Sequence, residues 1–299
     1  MVLTKIHLLP VCIFVLIPSS FLLTYCIAIY LNHVEVGFPY ISDTGTYVPE
    51  RCIFSLAINF VAFLLAAFMY LQYKHVEQHY RDFLSSEFTI VLRLNRWALF
   101  IGWLGCFGVS VLANFQETAV IIVHMSGALC AFGCATLYSW MLTIISHYLC
   151  PLLNSVFVTR LRVFLCLILT ATCGITTIAG IIAHSNFHGE DPTKWHKDDG
   201  GFIAHVISTA AEWTLVMAFD FFILTYAREM QNISVSSPKI HFHSEEFTLN
   251  NKEFYGIENH INITSSQNSL RTANSMSNSQ GPYTEFRGEN SLTTEATVH

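Results

Sequence analysis

Apolar positions in this chain collect into six long stretches, at about 6–31, 53–73, 97–113, 119–146, 163–183 and 202–226, separated by polar segments. Each runs roughly 17–28 residues, and about 20 residues of helix cross a hydrocarbon core about 30 Å thick. No water is present in such a core to satisfy a peptide N–H or C=O, so each stretch is predicted to be a helix. The expected fold is all-α: a polytopic membrane protein whose residues 1–233 form a bundle of six transmembrane helices. The first stretch follows Lys5 like a signal peptide, but its apolar run is longer than the roughly 7–15 residues of a signal core and no Ala-x-Ala site follows. It is read as a retained helix, with Pro10 and Pro18 as candidate kinks. From residue 234 the pattern changes to Ser, Asn, Thr and Glu without a sustained apolar period. Such a segment buries too little surface to offset its ordering entropy, so 234–299 is predicted to be a disordered cytosolic tail.

Charge orients the bundle. Lys5, Lys74, Arg81, Arg93, Arg96, Arg160, Arg162, Arg228, Lys239, Lys252, Arg271 and Arg287 fall on one side, and only Arg51, Lys194 and Lys197 on the other. Basic residues concentrate on the cytoplasmic side of membrane proteins, so both termini are expected in the cytosol. The far side is acidic instead, with Glu35, Asp43, Glu50, Glu117, Glu190, Asp191, Asp198 and Asp199.

The composition, 53% hydrophobic and 12% charged, fits a chain that is mostly membrane domain. A net charge of −6 adds little, because the acidic residues lie in loops and tail. No basic run exceeds two residues, which excludes a nucleic-acid partner. Of nine cysteines, most fall inside the helices, and the far-side loops hold no pair, so no disulfide framework is expected. Cys130 and Cys134 share a helix face and read as small-residue packing rather than a metal site. Cys150, beside Pro151, is a juxtamembrane candidate for palmitoylation. Gly102, Gly105 and Gly108 on the third helix, Gly127, Ala131 and Ala135 on the fourth, and Ala179 and Ala183 on the fifth permit close backbone approach.

The far-side loop 32–52 is punctuated by Pro39, Asp43, Gly45 and Pro49 and reads as turn-rich and ordered. The far-side loop 184–201 is polar, with Trp195 placed to anchor at the interface. The segment Ser85–Arg96 is predicted as an interfacial helix with Phe88, Val91 and Leu92 on one face. Asn232-Ile-Ser234 and Asn262-Ile-Thr264 match the glycosylation sequon, but lie on the cytosolic side of this topology. Tyr283-Thr-Glu-Phe286 fits a tyrosine-x-x-bulky sorting pattern. Tyr80-Arg-Asp-Phe83 fits it too, with Tyr80 read as an interfacial aromatic.

Charged residues inside a membrane are costly and face protein. His205 and Glu212 lie seven apart on one face of the sixth helix, with Ser208 and Thr209 between them, and Asp220 follows nearer the cytosol. Asn59 and His124 come at similar depth, so Asn59, His124, His205 and Glu212 are the candidate intramembrane polar cluster. Such a cluster has three readings. It can be hydrogen-bonding glue between helices, or a path for protons, ions or lipid headgroups. It can also be a metal-dependent hydrolase site on His124, His205 and Glu212, with His184, His188 or His196 at its mouth. No H-E-x-x-H, nucleotide loop, G-x-S-x-G elbow or Cys/His dyad is present, so no catalytic residue, metal or cofactor is assigned.

The order of these residues resembles a known family. Phe38-Pro-Tyr-Ile-Ser-Asp-Thr-Gly-Thr46 followed by Pro49-Glu50 resembles the first lumenal loop of the DRAM proteins, the damage-regulated autophagy modulators of the wider Frag/DRAM/Sfk superfamily. Ala113-Asn-Phe-Gln-Glu117, His124-Met-Ser-Gly127 and Ala210-Ala-Glu-Trp213 are similar to that family too, and the similarity covers about residues 6–235. The resemblance implies a lysosomal or late endosomal multi-pass protein that promotes autophagy without catalysis and links to apoptosis, with plasma membrane or Golgi as the alternative location. It marks Tyr40, Ser42, Asp43, Gly45, Pro49 and Glu50 as a lumenal-loop motif. Implied partners are membrane lipids, cytosolic autophagy or phosphoinositide-kinase machinery, and a second copy in a homo-oligomer. The alternative function is a lipid enzyme or transporter using Glu212 and the membrane histidines.

Overall fold

The computed structural model describes residues 2–37, 39–83, 89–236 and 263–271. Six helices follow one another: α1 (Leu8–Tyr30), α2 (Glu50–Phe83), α3 (Thr89–Asn114), α4 (Ile121–Tyr148), α5 (Val156–Ser185) and α6 (Phe202–Leu224). All six are long and apolar enough to cross a membrane, which makes this a multi-pass membrane protein. Large apolar side chains such as Leu56, Phe63, Ile122, Phe164 and Leu167 point outward. In water such a surface would be a liability; in a bilayer it faces a solvent of its own kind.

Three helices outrun their apolar stretches, all at the end of the bundle that carries the termini. α2 continues past residue 73 to Phe83, where Glu77 bonds Lys74 at 2.8 Å and Arg81 at 2.9 Å on one helix face. α3 begins at Thr89, so Thr89–Arg96 is its first turns and not a separate interfacial helix; Ser85–Phe88 lies outside the described residues. Asn95 Nδ2 donates to the Tyr73 carbonyl at 2.9 Å, tying this extension to α2. α5 starts at Val156, where the Ser155 side chain accepts the Val158 N–H. Arg160 and Arg162 are therefore helical, not loop residues. Hydropathy measures the thickness of hydrocarbon to be crossed, and polar i,i+4 pairs carry a helix beyond it.

α1 packs on α2, α2 on α3, α3 most extensively on α4, and α5 on α6, while the seams between α4 and α5 and between α1 and α6 are thinner. Beyond the helices, Val2–Leu3 pairs antiparallel with Val235–Ser236, in register Val2 with Ser236 and Leu3 with Val235. This small ladder brings both ends of the compact unit Met1–Ser237 to one end of the bundle. The opposite end carries the connections 31–49, 115–120 and 186–201, and is called the loop end below. The Asn232 sequon begins at the end of the 3-10 turn Glu229–Asn232. Tyr80 is buried on α2, which removes its tetrapeptide from any adaptor. In the remaining unit, residues 263–271 form a short exposed helix within the segment predicted as disordered. There the Ser266 and Ser269 hydroxyls donate to carbonyls three residues earlier. Tyr283, Phe286 and Asn262 lie outside the described residues.

The α3–α4 seam is closed by its small residues. A Cβ on Gly108 would sit 2.7 Å from the Ala131 nitrogen and 3.0 Å from the Gly127 carbonyl oxygen, and one on Gly127 would sit 2.9 Å from the Leu112 nitrogen. Backbone meets backbone there, so nothing soft can give way. A Cβ on Gly133, on the same helix as Gly127, would meet nothing within 4 Å. Gly108→Leu is therefore expected to lower the stability of the detergent-solubilised protein by about 1–3 kcal/mol, the range for overpacking, as a drop in thermal midpoint. Gly133→Leu is expected to leave the midpoint unchanged.

Candidate functional site

The 39–49 loop is folded into the loop end of the bundle. Tyr40, Ile41 and Asp43–Thr46 are buried, while Pro49 is exposed. The Asp43 carboxylate accepts the Tyr40 N–H at 3.0 Å, and the Thr44 hydroxyl donates to the Ile41 carbonyl at 2.7 Å, which closes the turn on itself. Thr44 also bonds Thr24 of α1, hydroxyl to hydroxyl, at 3.0 Å. Gly45 lies against the Phe54 ring of α2, where a Cβ would collide with it. Glu50 opens α2, where a negative charge suits the helix dipole, and its fully buried carboxylate meets His33 Nδ1 at 2.5 Å.

Two α6 residues fasten this loop. Trp213 Nε1 donates to the Pro39 carbonyl at 3.1 Å, and Glu212 Oε2 accepts the Ile41 N–H at 2.9 Å. Glu212 is thus the acceptor for a backbone donor that burial would otherwise leave unsatisfied. Burial, and then the nearby charges of Glu117 and Glu212, hold the Asp43 carboxyl well above its ordinary range. Burial likewise pushes the Tyr40 hydroxyl up.

The loop 186–201 closes the same end. Gly200 and Gly201 take φ values of +78° and +65°, which glycine reaches without strain, and turn the chain into α6 against the α5 backbone. Trp195 is buried rather than anchored at an interface. Its ring centroid lies 4.2 Å from that of His205, and its Nε1 donates to the Gly200 carbonyl at 3.0 Å. Tyr40 packs edge-on against His205 at 5.0 Å. The Thr193 hydroxyl donates to the His33 carbonyl at 3.2 Å and so joins the two large loops.

Beneath these loops, between α4 and α5, lies a cleft of about 450 Å³. Tyr40, Ser42, Glu117, His124, His184 and Glu212 give it a polar floor. Glu117 comes from the α3–α4 connection and meets His184 Nε2 at 2.7 Å, while His184 Nδ1 faces the Gly180 carbonyl at 3.0 Å. Both ring nitrogens thus face oxygen, which holds the His184 ring in one orientation. His124 Nδ1 bonds the Phe115 carbonyl at 2.7 Å.

Of the four intramembrane residues singled out in the sequence, His124 and Glu212 line this cleft. His205 stands behind it in the aromatic cage, with no hydrogen bond to Nδ1. Asn59 belongs to another network. Its Oδ1 accepts from the Ser110 hydroxyl at 2.6 Å, and its amide pairs with Asn114 at 3.2 Å, between α2 and α3. No three His, Cys, Asp or Glu side chains among the described residues are grouped to hold a metal ion. His188 and His196 lie in the 186–201 loop, where His196 Nδ1 comes within 4.0 Å of Glu35.

Sequence reasoning missed two groups. Glu117 looked like one more acidic loop residue, and nothing local to it pointed to His184. Arg162 looked like a loop cation, yet it is fully buried at the opposite end of the bundle. Its guanidinium bonds Glu229 at 2.6 Å, the Ser146 hydroxyl at 2.6 Å and the Thr225 hydroxyl at 2.9 Å, and stacks 3.5 Å from the Tyr226 ring centroid. Burial raises the Glu229 carboxyl, and Arg162 opposes that rise. Asp220, also buried, has no hydrogen-bond partner among the described residues at either oxygen.

Glu212→Ala would strand the Ile41 amide, at a cost of about 1–3 kcal/mol for a buried donor without a partner. The expected result is faster proteolysis of the 39–49 loop and a lower thermal midpoint, with Glu212→Gln, which keeps an acceptor oxygen, close to the parent in both. Asp43 gives the loop a pH dependence. Its folded value is raised above its ordinary 3.8, so its contribution is fully present below 3.8 and is lost as pH rises through the folded value. Protease resistance of the loop is expected to fall as pH rises from acid, and Asp43→Asn to flatten that slope.

Residues 5–233 match the family described as the Frag1/DRAM/Sfk1/Cwh43P N-terminal domain. The chain is similar to DNA damage-regulated autophagy modulator protein 2 of Homo sapiens, at 36% identity over 76% of this chain and 85% of that protein. It is also similar to DNA damage-regulated autophagy modulator protein 1 of Homo sapiens, at 36% identity over 73% of this chain and 87% of that protein. The zebrafish (Danio rerio) modulator of macroautophagy TMEM150B is 28% identical over 76% of this chain and 86% of its own length. No solved structure matches. With a match that takes in all six membrane helices and the folded loop they carry, the chain belongs to the Frag1/DRAM/Sfk1/Cwh43P family.

Proposed function

We propose that this protein modulates autophagy from a lysosomal or late endosomal membrane, as a non-enzymatic regulator with a link to apoptosis. The observation that carries the reading is that relatives named as modulators of autophagy align with about three quarters of the chain. Both termini would face the cytosol, in keeping with the excess of basic residues at that end. The folded 39–49 loop would then face an acidic lumen, where the raised Asp43 favours its packed form. Held in one arrangement by this loop, the bundle would offer its opposite end and the tail to cytosolic autophagy or phosphoinositide-kinase machinery.

Deleting the gene is expected to slow autophagosome turnover under starvation and under genotoxic stress; unchanged turnover in both would end this reading. In intact lysosomes, a C-terminal tag should be open to added protease and the 39–49 loop protected. A glycan on Asn262 would reverse the orientation and with it the assignment of the loop to the lumen.

A further inference from the structure

We infer that the cleft between α4 and α5 binds a single-chain lipid amine: an amphiphile with a protonated primary amine and neighbouring hydroxyls, of the sphingoid-base class. The inference goes beyond a role in autophagy and stands on the geometry of the cleft.

The cleft opens where amphiphiles are. It lies between α4 and α5, whose contact is thinner than that of α3 with α4 or of α5 with α6, at the loop end of the membrane-crossing helices. Its rim is built from outward-facing apolar side chains, Ile121, Met125 and Leu129 on α4 and Ile181 on α5. A hydrocarbon chain can leave past them straight into the bilayer, without crossing water. The polar floor sits toward the loop end, the direction in which a lipid's head points. At about 450 Å³ the cleft falls in the range of about 300–1,000 Å³ common to small-molecule sites.

The floor selects the head. It holds two carboxyl groups, Glu117 and Glu212, and no Lys or Arg among the described residues lines the cleft. Glu117 is matched by His184, whereas Glu212 accepts one backbone N–H, and a carboxylate has about four acceptor positions. Tyr40 is more than nine-tenths buried and lines the cleft, and its hydroxyl has Ser208 as a neighbour but no close hydrogen bond, although buried polar groups almost always have one. Ser42, Thr176 and Ser208 add hydroxyls to the same lining. An ammonium donates to the carboxyls in charge-assisted bonds, and adjacent hydroxyls give Tyr40 and the serines partners. A phosphate or carboxylate head would instead confront Glu117 and Glu212 with no free cation to receive it. A sterol's single hydroxyl brings no charge-assisted donor to either carboxyl.

The test uses the full-length protein in phosphatidylcholine nanodiscs and a photoactivatable sphingosine. Cross-links are expected on α4 and α5, competed by sphingosine and by octadecylamine. N-acetylsphingosine keeps the chain and hydroxyls but not the charge, and should compete at least about tenfold more weakly. Stearate should not compete. Glu212→Gln is expected to weaken capture by about tenfold or more. Ala128→Phe, which fills the cleft and leaves both carboxyls in place, should abolish capture. Thermal midpoints without ligand check that each variant is folded; if Glu212→Gln is not, Ala128→Phe and Thr177→Trp on the facing helix still report on the cleft. Equal competition by N-acetylsphingosine or stearate, or capture that survives filling of the cleft, would overturn the assignment. Because none of these readouts involves autophagy, failure here leaves the proposed cellular role standing, and the reverse.

Discussion

A backbone amide in a loop, Ile41 N–H, donates to a carboxyl on a membrane helix, Glu212, and the loop end of this protein depends on that bond. In water the pair would contribute little, since both groups have solvent as an alternative. Beneath a buried loop the alternative is an unsatisfied donor and an unsolvated acid, and the bond becomes close to obligatory. Everything else in the loop follows from having Ile41 fixed. Asp43 and Thr44 close the turn on either side of it, Tyr40 is turned toward His205, and Ser42 is left facing the cleft. The polar residue that looked out of place in the sixth apolar stretch is thus what lets a polar loop enter the bundle at all.

Two kinds of helix seam result from the same sequence. Between α3 and α4, glycines bring backbones to contact, and no room is left for a ligand. Between α4 and α5 the contact is thinner, and the gap is walled by outward-facing Ile, Met and Leu side chains above a floor of carboxyl and hydroxyl groups. In a membrane there is no hydrophobic penalty for leaving an apolar wall unpacked, because lipid covers it as well as protein does. A gap with a polar floor differs, since hydrocarbon cannot satisfy that floor. The cleft therefore calls for an occupant with a polar end and an apolar one.

The six helices were legible because hydrocarbon thickness writes itself into composition: about 20 apolar residues, repeated. Their ends were not, because Lys74, Glu77 and Arg81 look like loop residues until their i,i+3 and i,i+4 pairing is seen to continue α2. Glu212 and His124 were legible as polar residues in apolar runs, and the bundle sets both on one cleft. Asn59 carried the same signal and went elsewhere, because depth along a helix is readable from sequence but the direction a helix face takes is not. Glu117 and Arg162 each carried a charge in a region where charges are ordinary. Their partners, His184 and Glu229, lie 67 residues away in both cases, and only the fold brings them together.

The two ends of the bundle are consequently held by different physics. At the terminal end, the Arg162 guanidinium is satisfied by Ser146 of α4, by Thr225 and by Glu229, with the Tyr226 ring beneath it. A buried ion pair of this kind contributes little net stability but leaves few alternatives, since moving any partner exposes a buried charge. It therefore fixes α4, α5 and the segment after α6 in one arrangement. At the loop end the same helices are joined by hydrogen bonds, the His184–Glu117 pair and tilted and edge-on aromatic contacts around Trp195, with acids outnumbering bases. The cleft lies at this loop end, with Tyr40 and Ser42 of the 39–49 loop in its lining.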